Sequence, residues 1–293
     1  NPSFSHFTSM AYMHTAAPNS GEEFGWLGRL ADNMAPASNK NFLINVDKTQ
    51  SLAVRSQKHI PIVFDHPQRF QREGFHEQKP ILESVIYNKD ERNNNSAQNF
   101  LNEIANSAKE SSNIISEAWS NYTRQVDYGL APVDLNKIAA LIEANVPARL
   151  YYTSFRDNAF DTHVHQPNLH KRLLTYASDA IRGFMHDLDR MGKSEDVVLL
   201  VMTEFGRRVP ENTSLGTDHG AAGPMFIIGS SVKGGHYGKI PDLVNGLDGG
   251  DNLKYTTDFR SVYATIIDQW LQVDSKNILR KNFQTFNIFD RMV

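Results

Sequence analysis

Two acids and a histidine lie between two apolar segments in the C-terminal half of the chain. The aliphatic run at residues 197–202 predicts a strand that is buried on both faces, and Glu204 follows its end. Asp218 and His219 then precede a second apolar run at residues 224–228. Ligands of open α/β sheets bind at the carboxyl ends of strands. Carboxylates and an imidazole in such a place indicate a metal site or an acid–base site.

A second polar cluster follows another predicted strand, residues 148–154. It contains Asp161, His163 and His165. In an extended segment alternate side chains point to one side, so these three groups would share a face. One carboxylate and two imidazoles suit a hard or borderline divalent ion. The alternative is a polar loop that only caps the next helix.

Ser5 and His6 form a third candidate group, within the N-terminal segment NPSFSHFTS. A serine that precedes a helical turn can cap the helix. It can also be a nucleophile that is activated by a metal or a base and faces the positive end of the helix dipole. The residue types alone leave both roles open.

Composition excludes several classes of protein. The chain has 293 residues, enough for one large α/β domain or two smaller ones. Its net charge of −3 implies no general attraction to nucleic acid. The absence of cysteine excludes disulfides and thiolate ligands. No apolar run is long enough to span a membrane.

Elements that could position these groups alternate along the chain. Short apolar runs predict strands at residues 42–46, 60–64 and 148–154, in addition to the two named above. Apolar residues at helical spacing predict helices at residues 22–34, 80–87, 97–126, 134–145, 167–191 and 257–271. Strands that alternate with long helices predict an α/β fold with a mostly parallel central sheet flanked by helices.

Several sequence blocks resemble one known family. In chain order they are SHFTSMAY, GWLGRLAD, FDTHVHQ, VMTEFGRRVPEN, GTDHGAAGPMFIIGSSVKGG and TTDFRSVYATIIDQWL. Together they resemble the bacterial family known as domain of unknown function 1501, a branch of the alkaline-phosphatase and sulfatase-like superfamily. The resemblance covers residues 5–271. It implies a single domain over residues 1–293, with a helical insertion around residues 77–145.

The resemblance also implies roles for individual residues. Asp161 and His163 resemble the Asp-and-His pair that holds one metal ion, and Glu204 stands where a metal-binding Asp ends a strand. His219 resembles a late metal-binding histidine, and we assign the adjacent Asp218 to the metal as well. Further assignments are Ser5 as the nucleophile, Arg207 as the partner of an anionic oxygen, and His6 and His165 as substrate contacts.

Two features depart from the superfamily pattern. Phosphatases have His after the strand-end acid, whereas Phe205 follows Glu204 here. The first strand of the superfamily carries a further Asp ligand, and no buried strand precedes Ser5. We therefore expect that this strand is missing from the sequence and belongs upstream of Asn1.

The sequence thus predicts a metal-dependent hydrolase of phosphate or sulfate esters, with a small-molecule or polymeric substrate. Its cofactor would be one or two divalent ions: zinc, manganese, magnesium or calcium. The resemblance implies export to the periplasm, the cell surface or the medium. The alternative is a non-catalytic binding or structural surface protein of the same fold, for which self-association through residues 97–126 is possible. The hydrolase hypothesis requires Asp161, His163, Glu204 and His219 to converge at one edge of the sheet.

Overall fold

The computed structural model describes residues 3–70, 96–130 and 133–289, which form a mixed α/β fold. The predicted helix at residues 80–87 lies outside the described residues. The helices are α1 (His6–Thr15), α2 (Trp26–Met34), α3 (Ser96–Asn121), α4 (Leu135–Glu143), α5 (Gln166–Arg190), α6 (Phe259–Thr265) and α7 (Ser275–Leu279). A π-helical turn, Ile266–Trp270, continues α6. Among the described residues, no helix is both long and apolar enough to cross a membrane.

Three parallel strands form the central sheet: β1 (Leu43–Val46), β2 (Ile62–Phe64) and β3 (Leu150–Thr153). Their order is β2-β1-β3, so β1 is the middle strand and all four of its residues are buried. Ile44 lies opposite Ile62 on one side and Tyr151 on the other. The predicted parallel sheet with flanking helices is confirmed for these strands.

The remaining strands pair antiparallel, which corrects the prediction for residues 197–202 and 224–228. β4 (Leu199–Val201) pairs with β7 (Phe226–Ile228), and β5 (Gly206–Arg207) pairs with β6 (His219–Gly220). The residues of β4 are only partly buried, and Phe226 is 56% exposed. An aliphatic run gives β propensity but does not determine how many of its faces are covered.

Helices cover both faces of the parallel sheet. Ile44 and Val46 of β1 join a core with α3, α4 and α5, whereas Leu43 joins a second core with α1, α2, α6 and α7. This alternation is the period of two expected for a strand. The described part of the proposed insertion, which contains α3 and α4, therefore packs directly against the sheet.

Close backbone packing sets one helix boundary that the sequence pattern missed. The predicted helix at residues 22–34 begins only at Trp26. A Cβ atom on Gly25 would lie 2.0 Å from the carbonyl oxygen of Ala53, so the chain stays extended through Gly25 to pass this backbone. Contact with a segment 28 residues away in sequence thus overrides the local helical pattern.

A buried histidine joins α1 to the sheet. His14 is 6% exposed, and its Nε2 lies 3.1 Å from the hydroxyl of Tyr152 in β3. Its Nδ1 lies 3.4 Å from the hydroxyl of Ser51. Burial lowers the pKa of His14 from 6.5 to about 4, although the charge of Glu204 opposes this shift. The ring is therefore neutral in the folded protein at neutral pH.

We expect His14 to make stability fall as the pH is lowered. Between pH 7 and pH 5 the unfolded chain takes up a proton at this histidine and the folded protein does not. The free energy of unfolding should fall by about 2 kcal/mol from this group. Urea unfolding at the two pH values measures the effect.

The matched variants for this test are His14→Asn and His236→Asn, since His236 is exposed. His14→Asn should lose about 2 kcal/mol of the pH dependence, whereas His236→Asn should keep the wild-type dependence. An unchanged pH dependence in His14→Asn would contradict the assignment of a neutral buried ring.

Candidate metal centre

Four segments that are distant in sequence supply the side chains of the candidate centre. Asp161 lies on the loop after β3, and Glu204 follows β4. Arg207 and His219 face each other in the β5–β6 ladder. His6 is the first residue of α1. The centre therefore forms where loops that follow strands meet the N-terminus of a helix.

Two glycines allow the β5–β6 ladder to form at this place. Gly206 and Gly220 are paired, next to the pair of Arg207 and His219. A Cβ atom on Gly206 would lie 1.6 Å from the carbonyl oxygen of Ala222, and one on Gly220 would lie 2.4 Å from the backbone carbon of Arg207. Only glycine fits such close backbone approaches, so the glycines set the positions of the guanidinium and the imidazole.

Three imidazoles in the centre are oriented by oxygen atoms at Nδ1. His6 Nδ1 lies 2.7 Å from Glu204 Oε1, and His163 Nδ1 lies 3.2 Å from Asp218 Oδ1. His219 Nδ1 lies 2.7 Å from the carbonyl oxygen of Phe4. Carboxylate and carbonyl oxygens only accept hydrogen bonds, so each Nδ1 donates to its oxygen in the tautomer that carries the ring proton at Nδ1. In a neutral ring, Nε2 is then left with a free lone pair.

All three Nε2 atoms converge on the carboxylate of Asp161. His6 Nε2 lies 3.2 Å from Oδ2. The Nε2 atoms of His163 and His219 each lie 2.9 Å from Oδ1, and they are 3.0 Å apart. With neutral rings, several lone pairs and a negative charge would face one another. A positive charge among them, either a ring proton or a metal ion, stabilises this arrangement.

The donor set fits a divalent metal ion. The ligand atoms of His6, Asp161 and His219 all lie within 4.8 Å of one another. Metal-binding histidines commonly donate Nδ1–H to a carboxylate or a backbone carbonyl, and each of these three rings has such an oxygen beside its Nδ1. Imidazole and carboxylate together suit zinc and other borderline ions. The side chains of His6 and Asp161 are each 28% exposed, so ions can reach them from solvent.

Asp161 and Glu204 both stay ionised over the physiological range. Partial burial by itself raises the pKa of Asp161, but hydrogen bonds from His219 and Arg207 outweigh it and hold this pKa well below its usual value. Burial likewise opposes ionisation of Glu204, yet a backbone hydrogen bond and bonds from His6 and Thr203 lower its pKa. Both groups are therefore available as anions at neutral pH.

Arg207 binds the loops of the centre to one another. Its Nη2 lies 2.5 Å from Asp161 Oδ1 and donates to the carbonyl oxygen of Phe160 at 3.1 Å. Its Nη1 donates to the carbonyl oxygen of Thr217 at 2.8 Å and lies 3.3 Å from His163 Nε2. Most of its donors are thus used within the protein. The guanidinium positions Asp161 and compensates its charge.

Ser5 lies beside the centre, between two anchored neighbours. The carbonyl of Phe4 is bonded to His219, and the ring of His6 is bonded to Glu204 and Asp161. Ser5 is the N-cap residue of α1, but its side chain makes no capping hydrogen bond. Ser5 is exposed, so its hydroxyl is accessible from solvent.

The structure brings most of the predicted residues together, but in different places from those expected. Glu204 contacts Nδ1 of His6 and Asp218 contacts Nδ1 of His163, so both carboxylates lie on the side of the rings that faces away from Asp161. His6, expected to contact substrate, lies among the candidate ligands. His165 does not join the cluster: it is exposed, and its φ of 47° ends the extended alternation that would have aligned it with His163.

Two residues that shape the centre were not among the predicted site residues. The ring of Phe205 packs against His219 and His6, with centroid separations of 4.3 and 4.9 Å. The side chain of Asn212 donates to Asp218 Oδ1 and to the carbonyl oxygen of His163. The sequence feature that could have identified Phe205 is that Phe replaces the His that follows the strand-end acid in phosphatases. The feature that could have identified Asn212 is its place in the polar loop between Glu204 and Asp218.

Comparisons with known proteins identify a family. Neither curated proteins nor solved structures give a match to the chain. The model of a family described as a protein of unknown function, DUF1501, matches residues 1–285. This match spans nearly the whole sequence, and the chain therefore belongs to the DUF1501 family.

Proposed function

We propose that this protein is a metal-dependent hydrolase of phosphate or sulfate esters. The observation that carries the proposal is the convergence of three Nε2 atoms on Asp161, with each Nδ1 bonded to an oxygen. An oxygen beside Nδ1 favours the tautomer in which Nε2 is free to bind a metal. His6, Asp161 and His219 would hold the ion, and His163 would lie beside it. A set rich in imidazole favours zinc over magnesium or calcium.

The bound ion would act as a Lewis acid on the ester and would lower the pKa of a hydroxyl or a water. The residues of the chain have separate tasks around it. Glu204 and Asp218 fix the orientations of His6 and His163. Arg207 keeps Asp161 ionised and adds the positive charge that an anionic ester requires. Phe205 covers one side of the imidazoles and excludes water there.

Ser5 is the proposed nucleophile. Its neighbours on both sides are bonded into the centre, which restricts where its hydroxyl can lie. It precedes the N-terminus of α1, where the helix dipole favours the developing negative charge of an attacking oxygen. Its side chain does not cap the helix, so its hydroxyl is not engaged by the first turn.

The proposal places the chain in the alkaline-phosphatase and sulfatase-like superfamily, and it includes export from the cell. A parallel sheet covered by helices on both faces, with the centre after β3, supports the superfamily, and the sequence resemblance supports export. The alternative function is a non-catalytic binding or structural protein of the same fold. The exposed, hydroxyl-bearing Ser5 beside the candidate ligands favours the enzyme.

The first test of the proposal is metal linkage. Protein purified without added metal should contain a divalent ion by elemental analysis, and a chelator should lower its melting temperature. A ligand at a hundred times its Kd stabilises the folded state by about 2.7 kcal/mol. His219→Ala and Asp161→Asn should lack both the ion and the chelator effect.

The control variant is His165→Ala, because His165 is exposed and lies outside the cluster. It should keep the ion and the full chelator effect. If wild-type protein holds no ion, and neither chelator nor added zinc shifts its melting temperature, the metal site is contradicted and the binding-protein alternative is favoured.

The second test is catalysis by Ser5. Protein loaded with zinc or manganese should hydrolyse nitrophenyl phosphate or nitrophenyl sulfate. Ser5→Ala should lower turnover on the order of 10³-fold or more, because loss of a covalent nucleophile removes the chemical step. Metal content and melting temperature should not change, since Ser5 makes no capping bond.

Ser20→Ala is the matched control, since Ser20 is an exposed serine outside the centre. It should retain full turnover. If Ser5→Ala retains turnover, Ser5 is not the nucleophile, and direct attack by water is favoured. A metal-loaded protein that hydrolyses neither ester would favour the binding-protein alternative.

A further inference from the structure

The side chain of Asn212 connects three parts of the polypeptide behind the candidate metal centre. Its Nδ2 donates to the carbonyl oxygen of His163 at 3.1 Å and to Asp218 Oδ1 at 3.0 Å. Its Oδ1 accepts from the backbone N–H groups of Ser214 and Gly216, at 2.9 and 3.0 Å. An asparagine amide has two N–H donors and an oxygen with two lone pairs, so its hydrogen-bonding capacity is used fully within the protein.

Two of these hydrogen bonds act on one histidine. The bond to the carbonyl oxygen of His163 fixes the backbone that carries the ring. The bond to Asp218 Oδ1 fixes the carboxylate that lies 3.2 Å from His163 Nδ1. The side chain of Asp218 is 48% exposed, so its orientation depends on hydrogen bonds more than on burial. Asn212 therefore holds both the backbone and, through Asp218, the imidazole of His163.

The other nitrogen of the same ring faces the proposed ligands. His163 Nε2 lies 2.9 Å from Asp161 Oδ1 and 3.0 Å from His219 Nε2. Neighbouring ligand atoms of a tetrahedral zinc ion lie about 3.3 Å apart, and zinc usually has four ligands. These separations allow His163 to share an ion with Asp161 and His219. The orientation of this ring therefore matters for metal binding.

The turn that Asn212 closes is strained. Leu215 has a φ of 61°, a left-handed conformation that is unfavourable for a bulky side chain. Besides the two bonds to its side chain, the N–H of Asn212 donates to the carbonyl oxygen of Gly216 at 2.9 Å. The carbonyl oxygen of Leu215 in turn accepts from the N–H of Gln166, at the start of α5. Strained conformations persist where surrounding contacts hold them, and they concentrate at functional sites.

We propose that Asn212 is a positioning residue of the metal centre, which holds His163 through its backbone and through Asp218 so that Nε2 binds the ion. This inference rests on the proposed function, since it requires a metal at the centre. Loss of a hydrogen-bond partner behind a metal-binding histidine weakens metal binding by about 10- to 100-fold. Asn212 acts on the imidazole through a further residue, so we expect an effect near the lower end of this range.

Zinc affinity, measured by competition with a chelator, tests this role without requiring turnover. Asn212→Ala should weaken zinc binding about tenfold. Asn212→Ser should weaken it as much, because its short side chain lacks the Nδ2 donors. Its hydroxyl still accepts hydrogen bonds within the turn, so its melting temperature should stay closer to that of wild type. If Asn212→Ser binds zinc as tightly as wild type, Asn212 only supports the turn and the proposal is wrong.

Thr213→Ala is the matched control, since Thr213 is an exposed residue of the same turn. It removes a polar side chain that makes no contact in the chain of bonds to His163. Its zinc affinity should be within about twofold of wild type. A tenfold loss in Thr213→Ala would show that any change in this turn disturbs the centre, and it would overturn the specific role of Asn212.

A double-mutant cycle shows whether Asn212 acts through His163. In a His163→Ala background, Asn212→Ala should change zinc affinity by less than about twofold, because the ring that it positions is absent. A tenfold loss that persists without this ring would overturn the proposal. In zinc-free protein, Asn212→Ala should also shift His163 from the Nδ1–H towards the Nε2–H tautomer in nitrogen NMR spectra, since Asp218 is then free to turn away.

These outcomes separate the positioning role from the proposed hydrolase. If nitrophenyl esters are hydrolysed but Asn212→Ala binds zinc as tightly as wild type, the positioning role fails and the hydrolase stands. If Asn212→Ala weakens zinc binding through His163 while no ester is hydrolysed, the positioning role stands and the hydrolase fails. If wild-type protein binds no zinc, the metal centre is contradicted and both proposals fail.

Discussion

The carboxylate of Asp161 is the group on which the centre depends. It faces three imidazoles and a guanidinium, each of which comes from a different segment of the chain. A partly buried anion must be matched by donors or cations, and no single segment supplies enough of them. The loop after β3, the β5–β6 ladder and the start of α1 are therefore brought together by one charge. Without it, the three rings would have no common acceptor.

Support for this arrangement comes from the rigid parts of the fold. The parallel sheet holds the loop after β3, and the paired glycines of the β5–β6 ladder set the distance between Arg207 and His219. His14 fixes α1 against β3 through Tyr152, which places His6 at the other end of the same helix. A positioned active centre requires side chains that are held by such neighbours. The fold thus supplies orientation, whereas Asp161 supplies the attraction.

Elements with strong local patterns were predictable from the sequence, and contacts between distant segments were not. β1, β3 and α5 lie within two residues of their predicted bounds, because apolar periodicity determines them. The antiparallel pairing of β4 with β7 was missed, since an aliphatic run does not specify its partner. Asp161 and His163 could be predicted as site residues, because both follow the end of a predicted strand. His6 was not predicted as a metal ligand, because its partner Glu204 is 198 residues away in the sequence. The prediction that His165 shares a face with His163 was wrong, because His165 has a left-handed backbone conformation that its residue type does not predict.

The bond from His219 to the carbonyl of Phe4 has a consequence for biosynthesis. It joins residues 215 positions apart in the sequence. A ribosome adds residues from the N-terminus, so the first helix must wait for most of the polypeptide before its histidine meets the other rings. Closing so long a loop is slow, because contacts of high sequence separation form late in folding. A nascent chain that ends before His219 therefore lacks one of the three rings and cannot assemble the cluster.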